Sequence, residues 1–496
     1  MGQIVKLDEA RASRLLPNFI GDQWVATDNR FDNIDPTTGE VIGSVCASGK
    51  GEIDRAVEAA RKALKGPWGK MKSAQRIAML HAIARRINER FKDFVEAETR
   101  DTGMPIHFAE HVDVPRGAAN FQIFADLFAN APNETFTMDT PDGGTAVNYA
   151  LRVPRGVIAV ISPWNVPLLL TTWKLGPALA CGNTVVLKPS EETPSCANLL
   201  AEVMAEVGVP EGVFNVVHGH GADAAGQWLT EHPGVDGITF TGETSTGEAI
   251  MRAAAKGVRP VSFEMGGKNS AIVFADADLD ATISGLARSC FQNTGQVCLG
   301  TEKVYVQRPV FDEVVARMKA LAEALKPGRP GEDGADFGPL NSRTHQTKVL
   351  SYYALAREEG AVQVTGGGVP AMPDHLKGGW WIEPTIWTGL GDDARVVNEE
   401  IFGPCCHIAP FDTEEEVIAR ANATEYGLAA SVWTRDLGTA HRLGAALEVG
   451  VCWINSWFLR DLRTAFGGAK QSGIGREGGV HSLEFYTELR NVCVKL

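Results

Sequence analysis

The chain has 496 residues, of which 44% are hydrophobic and 22% charged. That composition excludes a wholly disordered or fibrous protein, and at roughly 150 residues per domain the length allows about two to four folding units. Lys and Arg total 47 against 61 Asp and Glu, and the formal charge of −14 offers no general attraction for nucleic acid or an anionic membrane.

The N-terminal stretch has no uninterrupted apolar core of a secretory signal, and the longest apolar run, 157–170, is broken by Ser162, Pro163, Asn165 and Pro167. The nine cysteines contain no C-x-x-C pair and predict no disulfide framework, so the expected location is a reducing cytoplasm.

In chain order, GEIDRAVEAARKAL and SAQRIAMLHAIARRINERFKDFVEAETRDTG repeat apolar residues every three or four positions and predict helices, the second ended by Gly103 and Pro105. DVPRGAANFQIFAD predicts another helix, with Arg116 among apolar residues. From Val157 the pattern changes to short β-branched runs, VIAVI, TVVL, VFNVV and GITF, alternating with helical stretches at 168–180, 193–207, 223–230 and 244–255. This alternation is the sequence form of an α/β fold with a parallel sheet. SFEMGGKNS reads as a turn-rich joint. AIVF, a helix at 279–292, KVYVQ and a helix at 311–325 then predict a second α/β unit. PGRPGEDGADFGP reads as a surface loop, and LEFYTELRNVCVKL as a late strand pairing outside its own domain.

Two motifs read as ordinary structure. Gly473, Gly475 and Gly478 match G-x-G-x-x-G, but no strand precedes them as a dinucleotide fingerprint requires, so they predict a turn. The run DADLD at 276–280 begins like a calcium loop, yet Ala281 and Ala287 replace the required Gly and Glu; its carboxylates suit a helix start, and no metal site is expected.

Other segments sit at predicted strand ends, where open α/β sheets bind ligands. Lys188 and Glu191 follow TVVL: a lysine can donate to ribose hydroxyls and a carboxylate can accept from an adenosine 2′-OH while repelling a 2′-phosphate, which favours NAD over NADP; a solvated loop pair is the plainer alternative. Gly242 and Thr244 stand at a strand end and helix start suited to a phosphate, with Glu243 awkwardly between them. Cys298 in FQNTGQVCLG lies in a polar, glycine-bearing loop, unlike most of the other cysteines, although a free cysteine is commonly just a small buried hydrophobe. Glu264 in FEMGGKNS stands with Cys298 as the strongest candidate pair, and Asn165 in SPWNVP is a side-chain donor in a proline-fixed loop suited to an oxyanion hole.

Together SPWNVPLLL, KPSEETP, FTGETSTG, FEMGGKNS, GQVCLG and EEIFGP occur in an order and spacing that resemble the aldehyde dehydrogenase superfamily along essentially the whole chain. The resemblance implies a Rossmann-type NAD-binding domain lacking the glycine fingerprint (1–132 and 155–264), an α/β catalytic domain (265–465) and a small β oligomerisation arm (133–154 and 466–496), assembled as a homodimer or homotetramer. It implies Cys298 as nucleophile, Glu264 as general base and Asn165 as oxyanion donor. Trp164 and Lys188 match positions lining the adenosine site, and Glu400 and Phe402 match positions that hold the nicotinamide ribose and ring. Lys174 matches a family lysine with no firm role.

An arginine among aromatic residues is the usual fork for a carboxylate, and NSWFLRDLRTAFGG holds Arg460 and Arg463, each of which could instead pair with Asp461 or another acid. FLRDLRT followed by FGG, together with Arg116, is similar to the branch acting on 2-hydroxymuconic or 2-aminomuconic 6-semialdehyde. That likeness implies Arg116 and Arg460 as a clamp for the carboxylate of a small acidic semialdehyde, although Ala465 stands where proline is common. A 5-carboxymethyl-2-hydroxymuconic semialdehyde is the near alternative substrate. A catalytically silent relative and a thiol esterase are the alternatives of a different class.

Overall fold

A computed structural model describes residues 2–496. Its first sheet has nine strands, and the five central ones run parallel in the order Phe214–Val216, Thr184–Lys188, Val157–Ile161, Gly237–Thr241 and Val261–Glu264. The first four of these are the runs read from sequence. Val157–Ile161, Thr184–Lys188 and Gly237–Thr241 are buried at every position, because helices cover both faces and leave no solvated side to call for alternating polar residues. The parallel part starts at Val157–Ile161, winds outward to one side, and returns to the other through Gly237–Thr241. The carboxyl ends of those two strands therefore flank the point where the winding reverses, the place where such sheets form a ligand crevice.

The second sheet has seven strands. Cys405–Phe411, Thr301–Gln307, Asn269–Val273, Ala429–Trp433 and Val451–Ile454 are parallel neighbours in that order. Its two faces follow the period of two along a strand: Ala271 and Val273 pack with Leu286, Val314 and Met318 on one side, while Ile272 packs with Val417 and Leu443 on the other. A separate three-stranded antiparallel sheet joins Thr135–Asp139, Thr145–Pro154 and Thr487–Lys495.

Several expectations are refined. The long second helix is two, Ser73–Glu89 and Phe91–Thr102, broken at Arg90; Gly103 ends the latter with φ +70°, a conformation glycine adopts without strain. Ser262, Phe263 and Glu264 of the expected joint complete the strand Val261–Glu264, so Glu264 sits at a strand end, in register with Thr241. Of the segment 466–496 expected in the arm, only Thr487–Lys495 pairs there. Ala469–Lys470 pairs with Tyr426–Gly427, and Gly473–Ile474 closes the edge of the first sheet beside Phe263 and Glu264. The G-x-G-x-x-G run thus begins at an antiparallel edge strand and continues through Gly475 and Gly478, both at positive φ, with no βαβ unit around it.

Candidate active site

The strand Val261–Glu264 ends in the first sheet and the chain enters the second at Asn269, so the carboxyl ends of one set of strands face the amino ends of the other. Cys298 lies on the amino side of Thr301–Gln307, in a loop that is not regular structure. The loop is strained: Asn293 and Thr294 have φ of 52° and 55°, and Gly295 passes so close to Gly403 that a Cβ would lie 2.0 Å from its carbonyl oxygen.

Long-range hydrogen bonds over-determine that conformation. The Asn293 side chain donates to the Asn165 carbonyl (2.9 Å), the Thr294 hydroxyl to Gly338 (2.9 Å) and the Trp457 indole to Leu299 (2.9 Å). Asn269 donates to the carbonyls of Cys298 (2.7 Å) and Gly300 (2.8 Å), and accepts from the Ala429 N–H (2.9 Å). Asn165, buried after the strand Val157–Ile161, donates one amide hydrogen to the Gln296 carbonyl at 3.0 Å, which leaves its second hydrogen beside the cysteine loop. Cys298 is half-buried, whereas Cys46, Cys181, Cys196, Cys290, Cys405 and Cys406 are fully buried.

The electrostatics keep protons on the site. Burial pushes the Cys298 thiol up to about 12, reinforced by the charges of Glu264 and Glu400 and opposed by Arg460. Burial also pushes Glu264 up to about 8, with Glu477 adding to the rise and Lys174, Arg460 and Arg476 opposing it. Glu264 Oε1 is buried without a hydrogen-bond partner, and Lys174, whose side chain is fully buried, binds Glu477 at 2.9 Å. A carboxyl that ionises near neutral pH and lacks a fixed partner is suited to take a proton from water.

The two loop arginines differ. Arg463 is exposed and pairs with Asp461 at 2.6 Å, the plain reading of an arginine there. Arg460 instead lies between the rings of Trp173 and Phe466, 4.2 Å and 3.6 Å from their centroids, and its Nε and Nη2 atoms are buried without partners. Burial lowers Arg460 to about 10, and the positive charge of Arg116 acts in the same direction; Arg116 is itself lowered by burial. Two neighbouring, partly desolvated guanidiniums with unused N–H groups present ready donors for a carboxylate.

On the other side of the crevice, Lys188 Nζ and Glu191 Oε2 are 2.8 Å apart; burial works to raise the Glu191 carboxyl, but the Lys188 ammonium holds it below its ordinary value. Glu243, the awkward residue between Gly242 and Thr244, meets Lys348 at 3.9 Å, and Thr244 begins the helix Thr244–Ala255. Trp164, His345 and Phe402 form an aromatic cluster with centroids 5.0–5.9 Å apart, and Glu400 lies across Gly266 and Gly267, accepting from the Gly267 N–H at 2.8 Å. A Cβ at residue 266 would stand 2.0 Å from Glu400 Oε2, so the glycine makes room for the carboxylate. Glu400 is itself pushed up to about 7 by burial and then by Glu302.

The site combines a strained cysteine loop, an amide donor and an acid at two strand ends, and a crevice where the winding of the sheet reverses without a glycine fingerprint. The sequence matches the aldehyde dehydrogenase family over residues 24–492. The chain belongs to that family. It is 64% identical to a 2-hydroxymuconic semialdehyde dehydrogenase of Pseudomonas sp. (strain CF600), over 97% of this chain and 99% of the relative. It is 54% identical to a 2-aminomuconic 6-semialdehyde dehydrogenase of a Pseudomonas species, over 97% and 98%. The fold is similar to that of an aldehyde dehydrogenase from Bacillus cereus solved as an NAD+ complex, with a TM-score of 0.94, 37% identity and 99% of each chain covered. Among the described residues no helix is long and apolar enough to cross a membrane.

Asn269, Trp173, His345, Glu302 and Glu477, the partner of Lys174, carry no local sequence signal of a place in the site. Asn269 lies within the FEMGGKNS segment, but nothing local marks it as the residue that holds the cysteine carbonyl.

Proposed function

We propose that the protein oxidises a small acidic semialdehyde of the 2-hydroxymuconic or 2-aminomuconic 6-semialdehyde type to the dicarboxylate, with NAD as the hydride acceptor, in the meta-cleavage breakdown of aromatic compounds. The observation that carries the substrate class is Arg460, a buried guanidinium with unused donors beside Arg116 and no acid of its own. A neutral or cationic aldehyde would leave those donors unsatisfied, whereas a substrate carboxylate restores their hydrogen bonds.

In this reading Cys298 releases its proton to solvent and adds as the thiolate to the aldehyde carbon. The oxygen's developing charge is received by the free Asn165 amide hydrogen and the Cys298 backbone N–H, which donates to no other group among the described residues. The donor set of the crevice fits NAD: the Glu191 carboxylate suits a ribose diol, the Trp164 and Phe402 rings suit planar groups, and Glu400 suits a second ribose. When bound, NAD supplies the acceptor for the hydride leaving the substrate carbon and a positive charge that favours the thiolate. Glu264 then takes a proton from the water that cleaves the Cys298 thioester and releases the acid.

The arm of Thr135–Asp139, Thr145–Pro154 and Thr487–Lys495 exposes Phe136, Met138, Leu151 and Leu489, and in the proposed assignment it joins subunits into a homodimer or homotetramer. Sedimentation of a monomer at micromolar concentration would remove that assignment.

The test is a kinetic panel of hydroxy-, amino- and carboxymethyl-substituted muconate semialdehydes beside neutral aldehydes, with NAD and NADP compared, read as NADH or NADPH absorbance. Arg116→Ala and Arg460→Ala should each lose on the order of 1.5–3 kcal/mol of binding to an acidic substrate, seen mainly as a raised KM, with little change for a neutral aldehyde. Unaltered kinetics with the acidic substrate in both variants would discard the clamp. Preference for the carboxymethyl compound would move the assignment to that substrate.

A further inference from the structure

We propose that Glu302 is a positioning residue that ties the cysteine loop to the loop carrying Glu400 and Phe402, holding that loop in the shape the cofactor needs. The inference rests on Glu400 and Phe402 facing the nicotinamide end of NAD, as proposed above.

Glu302 stands four residues after Cys298, in the strand Thr301–Gln307. Its carboxylate turns away from its own strand's neighbours toward a loop about a hundred residues distant. Glu302 Oε1 accepts from the Phe402 N–H at 2.8 Å, and both carboxylate oxygens accept from the Ile401 N–H at 3.1–3.2 Å. Lys268, whose side chain is fully buried, forms an ion pair with the same carboxylate. Lys268 directly follows Gly267, whose N–H holds Glu400, so Glu400 is anchored from the segment that also supplies the ammonium partner.

The loop needs such support. Phe402 has φ +64°, a left-handed conformation that is strained for a bulky residue and persists only where its surroundings enforce it. Glu302 fixes its N–H, His345 bonds its carbonyl at 2.7 Å, and Trp164 meets its ring edge-on at 5.5 Å. Burying a Lys–Glu pair is costly, and a well-packed apolar pair would serve stability as well or better. What an apolar pair cannot supply is a carboxylate accepting from two consecutive N–H groups. The Glu302 charge also helps keep the nearby Glu400 carboxyl high, consistent with the two acids lying close together.

The test uses the full-length enzyme with Glu302→Gln and, because the single change leaves Lys268 buried without a counter-charge, the double variant Lys268→Met with Glu302→Gln. A glutamine has one acceptor oxygen and would set an NH₂ group against a second donor. Three readouts are taken: NAD affinity from quenching of tryptophan fluorescence, the rate and deuterium isotope effect of hydride transfer using aldehyde deuterated at the carbonyl carbon, and cofactor-free hydrolysis of p-nitrophenyl acetate at Cys298. The expected result is NAD affinity and hydride transfer each weakened about tenfold, with a larger isotope effect, while ester hydrolysis stays within about twofold of wild type. Unchanged NAD affinity and hydride transfer would overturn the proposal, and so would ester hydrolysis falling in step with them, since that would make Glu302 general scaffolding. Failure of the wild-type enzyme to reduce NAD would instead count against the function proposed above.

Discussion

Replacing Cys298 with alanine should abolish NADH formation with every aldehyde, a loss on the order of 10⁴-fold or more, while NAD affinity stays near wild type. The change removes one sulfur from a loop whose shape is set by other atoms. Asn269 holds the carbonyl of residue 298, Asn293 and Thr294 hold the preceding turn, and none of these bonds involves the thiol. No second thiol replaces it in that loop, because Cys298 is the sole cysteine between Gln292 and Gly300. Residual turnover near the wild-type rate would show that the nucleophile lies elsewhere.

The same group gives a pH-dependent check. With the thiol pushed up to about 12, Cys298 in the cofactor-free enzyme is protonated at neutral pH, and its thiolate fraction grows as pH rises toward that value. Alkylation by iodoacetamide should therefore quicken about tenfold per pH unit between roughly pH 7 and 9, and saturating NAD should quicken it at fixed pH.

The second large effect is expected for Glu264→Gln: steady-state turnover lower by roughly 10²–10⁴-fold, preceded by a burst of about one NADH per site. Hydride transfer precedes the thioester hydrolysis assigned to Glu264, and the thiol proton can leave to solvent, so the first half-reaction runs and the enzyme stalls as a thioester detectable by mass. The burial that raises Glu264 to about 8 also sets the pH dependence of the native enzyme. The base form is the ionised one, so thioester hydrolysis should rise with pH through neutrality and level off above about 8, and this limb should vanish in the glutamine variant. Wild-type turnover with no burst would remove Glu264 from the role.

Much of this site can be read locally because its chemistry is written in residue types at strand ends. VIAVI ends just before SPWN, and TVVL just before the KPSEE that carries Lys188 and Glu191. A β-branched run followed by a polar turn places such side chains at the mouth of a parallel sheet whatever lies farther along the chain. The turn reading of Gly473, Gly475 and Gly478 follows from the same logic, because no strand feeds into them in a βαβ unit.

The SFEMGGKNS joint carries part of a strand for a related reason. Four residues, VSFE, are too short a run to declare a strand, and they become one by pairing with the neighbouring strand Gly237–Thr241. The break at Arg90 is equally silent, because the apolar spacing continues across it from one helix to the next. Within 466–496 the strand Thr487–Lys495 joins the arm sheet, while Gly473–Ile474 finds its partner at the edge of the first sheet, a choice no local pattern announces.

Residue identity and spacing were enough to name the family, the nucleophile, base and amide candidates and the arginine-rich loop. Composition and spacing alone leave Arg460 and Arg463, three positions apart, equivalent, and only the family likeness points to Arg460. Folding pairs the second with Asp461 and presses the first between Trp173 and Phe466, where its donors are left for a ligand. Nor could they reveal that Lys174 answers Glu477 across 303 positions, or that Asn165 meets the carbonyl of Gln296 across 131. Periodicity records which face of an element is apolar, a property of near neighbours. Burial, strain and the partner of a buried charge arise only when distant segments close around one another.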